Sequence, residues 1–163
     1  FVFSCFTGLS YSDMKGLRNS NIQDFFDGNQ WIIVRRKKTA TSSNVMLLDI
    51  PKMIIEKYAG LSKDGKVFPV PSNTICNDGL KRISQLIDCL VEKKVTFHLA
   101  RHTFATLFLS EGVPLESLSK MLGHKNIATT QIYAKILNEK VGKDMQKVSH
   151  KFKGMEESFV SSL

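Results

Sequence analysis

Residues 96–133, TFHLARHTFATLFLSEGVPLESLSKMLGHKNIATTQIY, read as three helices broken at two glycines. Thr96 is a plausible cap for a helix from Phe97 to Ser110, which Gly112 ends. Pro114 opens a second helix to about Leu122, and Gly123 ends that one. A third helix crosses Thr129 to Ile136. His98 and Arg101 stand three residues apart and so share one helical face. Gly123 permits a sharp, left-handed turn that aims His124 inward. Tyr133 follows nine residues later, on the third helix.

These side chains have a common chemistry. The planar guanidinium of Arg101 offers phosphate two parallel charged hydrogen bonds. His98 and His124 can donate hydrogen bonds or move protons near neutral pH. A tyrosine acts as a nucleophile when its developing charge is supported and the attacked phosphate is polarised. Phosphoryl transfer needs mostly positioning and charge neutralisation, which fixed cations supply without a metal. The blander readings differ by residue. Tyr133 alone would be a packing residue. His102, ahead of an almost wholly apolar helical face, reads as structural. His98 and His102 also have the spacing of a helical metal pair. The glutamate of the metalloprotease pattern is absent, and no neighbouring acid or cysteine completes a set, so no metal is expected.

Outward from this core, the first half supplies a small sheet. Phe1 to Phe6 read as the end of a buried helix, stopped at Thr7-Gly8. Ser10 or Ser12 caps a short helix through Asp13 and Met14 to Leu17. Residues 19–23 and 30–36 are strand candidates around the turn Asp27-Gly28-Asn29, and Trp31-Ile32-Ile33-Val34 has strand composition. A second turn, Thr39 to Ser43, leads to a strand from Asn44 to Leu48. Pro51 starts a helix through Tyr58 that Gly60 ends. Phe68 to Ser72 is extended. Helical periodicity runs from about Thr74 to Glu92, with Ile83, Leu86, Ile87 and Leu90 on one stripe. A further helix reaches through Lys147. The expected class is mainly α with a small three-stranded antiparallel sheet.

The 163 residues suit one domain with a full-sized core, and 42% hydrophobic residues exclude a disordered tail. The excess of 23 Lys and Arg over 15 Asp and Glu, a formal +8, favours a polyanionic partner such as nucleic acid. Cys5, Cys76 and Cys89 have no C-x-x-C spacing and read as free thiols in a reducing compartment. No signal peptide and no membrane span is visible. The apolar opening at Phe1-Val2-Phe3 reads as the start of a fragment of a longer protein. Residues 1–150 are expected to form the catalytic domain, and 151–163 a tail that is flexible or docks onto a neighbouring protomer.

The motifs resemble those of the tyrosine recombinase (phage integrase) family. His98-Leu99-Ala100-Arg101-His102-Thr103-Phe104-Ala105-Thr106 looks like that family's His-x-x-Arg box. Leu122-Gly123-His124 looks like its Leu-Gly-His box, and Thr130-Gln131-Ile132-Tyr133 its nucleophile box. Thr7-Gly8-Leu9-Ser10-Tyr11-Ser12-Asp13 resembles its Thr-Gly-Leu-Arg-x-Ser-Glu box. The likeness runs from about Thr7 to Tyr133. It implies the tyrosine recombinase catalytic-domain fold, of the DNA breaking-rejoining type. Arg101 would clamp phosphate, and His98 and His124 would be hydrogen-bond donors or acid/base groups. Tyr133 would form a 3′-phosphotyrosyl bond, and Asp13 would support the site from behind. Lys38, with Lys37 as alternative, would match the hairpin lysine that protonates the departing 5′ oxygen. The family's first catalytic arginine is replaced by Ser10, a departure shared with integrases of Bacteroides mobile elements. Arg36 is a possible substitute cation, on a strand face with Lys38, or else a contact to DNA backbone. Arg18 is a weaker candidate.

The resemblance implies a DNA strand transferase used in integration and recombination by mobile elements, transposase-like, without cofactor, metal or ATP. Its partner would be double-stranded DNA, with self-assembly from dimer to tetramer in the synaptic complex, and no membrane. The expected compartment is the bacterial cytoplasm, at the nucleoid. The alternatives are a DNA-binding module with a degenerate site and a type IB topoisomerase-like enzyme.

Overall fold

Two glycines that end helices in the left-handed conformation, Gly8 and Gly123, fix where the chain turns around its centre. A computed structural model describes residues 1–62, 64–86 and 95–136, together with Gly142, Met145, Gln146 and Ser149. In chain order the elements are α1 (Val2–Thr7), α2 (Tyr11–Lys15), a 3-10 turn (Asn19–Asn21), β1 (Ile22–Asp24), β2 (Gln30–Arg35) and β3 (Ser42–Met46). Then come α3 (Asp49–Lys57), α4 (Asn73–Leu86), α5 (Leu99–Ser110), α6 (Leu115–Leu122) and α7 (Ala128–Ile136). The strands form an antiparallel meander in the order β1-β2-β3, with Ile32 opposite both Ile22 and Val45. The mainly helical class with one three-stranded sheet therefore holds.

Gly8 caps α1 at φ 67°, and its N–H donates to the Ser4 carbonyl. A Cβ there would lie 2.7 Å from Phe104 Cδ1, so only glycine lets α1 end against α5. Behind it the core has two parts. One gathers Phe3, Leu9, Met14, Leu17, Ile32, Leu47, Phe68 and Phe97 around the sheet and α1. The other gathers Val45, Phe104, Ala105, Leu109, Leu118, Leu122 and Tyr133 between α5, α6, α7 and β3. Phe104, Leu118 and Leu122 are completely buried, each stabilising the fold by about 1.5–3 kcal/mol on transfer grounds. Ala100 and Ala105, also fully buried, are small enough to let neighbouring elements approach α5 closely.

Several element boundaries differ from the sequence expectation. Residues 19–21 form a 3-10 turn instead of strand, because the Asn21 side chain accepts the Arg18 N–H at 3.0 Å and closes the turn. The third strand runs from Ser42 to Met46, two residues earlier than expected. The hairpin closes sooner: Arg36 N–H donates to Thr41 O, Ala40 N–H donates to Arg36 O, and Ala40 takes φ 54°. α5 begins at Leu99, not Phe97, and Thr96 is not its side-chain cap. Instead the buried Phe97 N–H donates to Asn77 Oδ1 at 2.7 Å, tying the approach to α4. Of the stripe expected on α4, Ile83 and Leu86 are exposed, and Leu80 is the buried residue. Ile87, Leu90 and the rest of that helix to Glu92 lie outside the described residues. So do the expected helix through Lys147, apart from the helical Gly142, Met145, Gln146 and Ser149, and the tail 151–163.

Candidate active site

The centre of the site is a backbone atom, the carbonyl oxygen of Leu122. It belongs to the last turn of α6, where helix carbonyls lack internal partners and the helix end carries partial negative charge. Arg101, set in the buried stripe of α5 and 3% exposed, donates from Nη2 to Leu122 O and from Nη1 to Gly8 O at 2.5 Å. Arg36 donates from Nη1 to the same Leu122 oxygen at 3.0 Å. Two guanidiniums thus meet at one helix end. Each has five N–H groups, and the bonds described commit only some of them. Burial, then the neighbouring Arg36 charge, pull the Arg101 pKa down to about 10, so it stays cationic at neutral pH.

Arg36 is held from its other side by Asp13. Its Nε lies 3.2 Å from Asp13 Oδ2, with both side chains buried. The Ser10 hydroxyl donates to the same carboxylate oxygen at 2.6 Å, and Lys37 N–H donates to Oδ1 at 3.3 Å. Ser10 also caps α2 by accepting the Asp13 N–H. Arg36 does not share a strand face with Lys38, because β2 ends at Arg35 and the chain turns there. At 7% exposure it faces inward, toward Asp13 and the Leu122 carbonyl. Gly123, at φ 58°, leaves the room: a Cβ there would stand 2.6 Å from Arg36 Cδ.

The aromatic side chains form a chain of rings. His98 packs edge-on against His102 at 4.6 Å, and His102 packs against Tyr133 at 5.6 Å. His98 sits at the N-cap of α5 in helical conformation, so its spacing to Arg101 is preserved. Burial, then the charges of His102, Arg101, Lys38 and Arg36, push the His98 pKa down. Lys38 is therefore within electrostatic reach of His98 from the exposed hairpin tip. Lys37 points elsewhere, its Nζ 3.4 Å from where a Gly16 Cβ would lie. Arg18 is also outside the cluster, donating to Asp64 O at 2.7 Å.

His124 follows the α6 cap, with Nδ1 2.8 Å from the Thr130 hydroxyl. Burial, then the charges of Arg101 and Arg36, push its pKa down to about 4, so the ring is neutral at pH 7. Tyr133 is 4% exposed, and burial raises its pKa against the opposing pull of Arg101. Its phenol is accordingly protonated at rest. Among the described residues no cluster of three or more His, Cys, Asp or Glu could hold a metal ion. Among them, too, no helix is long and apolar enough to cross a membrane.

Residues 2–140 match the sequence profile of the phage integrase family. The chain belongs to the phage integrase family. The tyrosine recombinase XerA of Thermococcus onnurineus is 44% identical over 149 residues, covering 86% of this chain and 51% of that protein. The crystal structure of XerA recombinase superposes with a TM-score of 0.68 at 22% identity, over 88% of this chain and 54% of that one. A XerH site-specific recombinase bound to palindromic difH substrate, in a post-cleavage complex, gives 0.67 at 21% identity, over 88% of this chain and 43% of that one. These structures share the fold, which is the tyrosine recombinase catalytic-domain fold. The chain spans about half the length of the XerA relative that it matches.

Of the residues that the sequence singled out in this phage integrase domain, Arg101, Arg36, Asp13, His98, His124 and Tyr133 are brought together, with Lys38 at the rim. Two features were missed. The Leu122 carbonyl is a backbone atom, and every residue has one, so no residue type marks it. The bond from Thr130 to His124 was visible only as a threonine one helical turn before Tyr133.

Proposed function

We propose that this chain is the catalytic domain of a site-specific DNA recombinase, with residues 1–150 as that domain. The observation that carries this reading is the pairing of Arg36 and Arg101 on the Leu122 carbonyl, with Arg101 close enough to Tyr133 to oppose the rise of its pKa. Two cations fixed on one oxygen, with Arg101 in electrostatic reach of a buried phenol, match what a phosphodiester attacked by tyrosine requires.

In the proposed reaction the Tyr133 oxygen attacks a DNA phosphorus. The Tyr–phosphate bond forms, the bond to the 5′ oxygen breaks, and a 3′-phosphotyrosyl link remains. The phenol proton passes to solvent, and Lys38 supplies the proton that the departing 5′ oxygen takes up. Arg101 and Arg36 hold the non-bridging oxygens, with Arg36 standing in for the arginine that Ser10 replaces. His98 and His124 donate hydrogen bonds to the same phosphate, and Asp13 positions Arg36. A 5′ hydroxyl from a second strand then reverses the step and rejoins the DNA. Bond energy is conserved in the phosphotyrosyl link, so the cycle needs no ATP.

The partner in this reading is double-stranded DNA, which fits the formal charge of +8. Assembly proceeds from dimer to tetramer on DNA, in the bacterial cytoplasm at the nucleoid. The test is a DNA substrate nicked beside the cleavage site, which traps the covalent intermediate. A protein–DNA adduct that disappears in Tyr133→Phe is expected. DNA binding with no adduct from any substrate would replace this reading with that of a binding module.

A further inference from the structure

Thr130 is completely buried, and its Oγ1 lies 2.8 Å from His124 Nδ1. That histidine is its one side-chain hydrogen-bond partner among the described residues. A threonine hydroxyl both donates and accepts, whereas a neutral imidazole nitrogen does one or the other. If Nδ1 carried the proton, the Thr130 hydrogen would be buried without an acceptor, an arrangement that folded proteins avoid. If the hydroxyl donates, both groups are satisfied and the proton of the neutral ring sits on Nε2.

We propose that Thr130 is a positioning residue that donates to His124 Nδ1 and so fixes His124 as an Nε2–H donor aimed by α7. The environment agrees with a neutral ring, since burial and the two arginine charges disfavour protonation. It follows that His124 donates a hydrogen bond to the phosphate and does not act as the base for Tyr133. Thr130 also stands three residues before Tyr133 on the same helix. The element that carries the nucleophile therefore also sets the orientation of the histidine. The functional part of this inference rests on the recombinase reading; the tautomer does not.

The test uses nitrogen-15 NMR of the histidine rings in the whole chain, with no DNA present. An Nδ1 lone pair that accepts a hydrogen bond resonates upfield of a free one. The expected result is an Nε2–H tautomer with an upfield Nδ1. Thr130→Val should move Nδ1 to the free position and raise the His124 pKa, with Thr130→Ser restoring both. Cleavage of the nicked substrate should fall about tenfold or more in Thr130→Val at unchanged DNA affinity, and recover in Thr130→Ser. An Nδ1–H tautomer, or an Nδ1 resonance unmoved by Thr130→Val, overturns the assignment even if the wild type forms adducts. The expected NMR result in a protein that forms none would leave the tautomer standing and remove only its catalytic use. A cleavage loss that Thr130→Ser does not recover would overturn the positioning role.

Discussion

Arg36 and Arg101 donate to the same oxygen, the carbonyl of Leu122. Like charges repel, so two guanidiniums share one acceptor only where negative charge offsets them. Here the C-terminal end of α6 supplies part of it, and the Asp13 carboxylate, 3.2 Å from Arg36 Nε, supplies more.

Breaking that arrangement from one side should be severe. Arg36→Ala leaves the Asp13 side chain, 3% exposed, without its cation. Loss of one partner of a buried pair typically costs about 3–5 kcal/mol, and the Ser10 and Lys37 bonds to Asp13 place this variant near the low end. Asp13→Asn combined with Arg36→Met should lose less than the sum of the single changes. Urea unfolding of the four proteins measures the coupling, and strict additivity would show that the pair does not act as a unit.

Gly123→Ala should affect both stability and chemistry. The left-handed conformation at φ 58° costs a residue with a Cβ roughly 1–2 kcal/mol. The new Cβ would also meet Arg36 Cδ at 2.6 Å and the Ser42 carbonyl at 3.2 Å, displacing the arginine. Gly28→Ala is the matched control, with φ 72° and no atom within 4 Å of its Cβ. Both variants should show a lowered Tm, but only Gly123→Ala should lose strand cleavage. Equal cleavage in the two would mean that crowding of Arg36 has no catalytic consequence.

Lys38 and Lys37 should separate by chemistry. Lys38→Ala is expected to slow cleavage by about 10²–10⁴-fold, the usual contribution of a general acid, with little change in DNA affinity. A substrate whose leaving atom is sulfur departs without a proton and should restore most of that loss. Lys37→Ala should change cleavage little, because its ammonium lies over Gly16. Parallel losses of cleavage and binding in Lys38→Ala would reduce Lys38 to a phosphate contact.

Acid should weaken the fold partly through His124. Its pKa falls from an ordinary 6.5 to about 4 in the folded chain. Between those values the unfolded chain binds more protons than the folded one, so stability rises with pH across this window. The contribution is complete above about pH 6.5, drains as pH falls, and is gone below about pH 4. His98, shifted the same way, adds to the effect. His124→Gln should therefore show a flatter Tm profile than the wild type between pH 7 and 5. Identical slopes would place the acid sensitivity elsewhere.

The helices of the second half were legible because their signals are local. Pro114 and Gly123 bound α6 as expected, and Gly8 ends α1. The hairpin boundaries were less legible, since Ala40 takes a left-handed conformation that its residue type does not announce. The kinds of functional group at the site, one phenol and several cations, were also written in the sequence.

By itself the sequence determined which side chains were available and which helices would carry them, because periodicity and helix stops act over a few residues. Only the tertiary structure decided which of them meet. Arg101 reaches Gly8 across 93 residues, and Arg36 reaches Leu122 across 86. Those bonds end on backbone carbonyls, which are chemically alike at every position. Packing selects the carbonyl, through the close approach of α1 to α5 that Gly8 allows and the passage for Arg36 that Gly123 leaves. The same packing turned Arg36 from an expected strand residue into a buried cation beside Arg101.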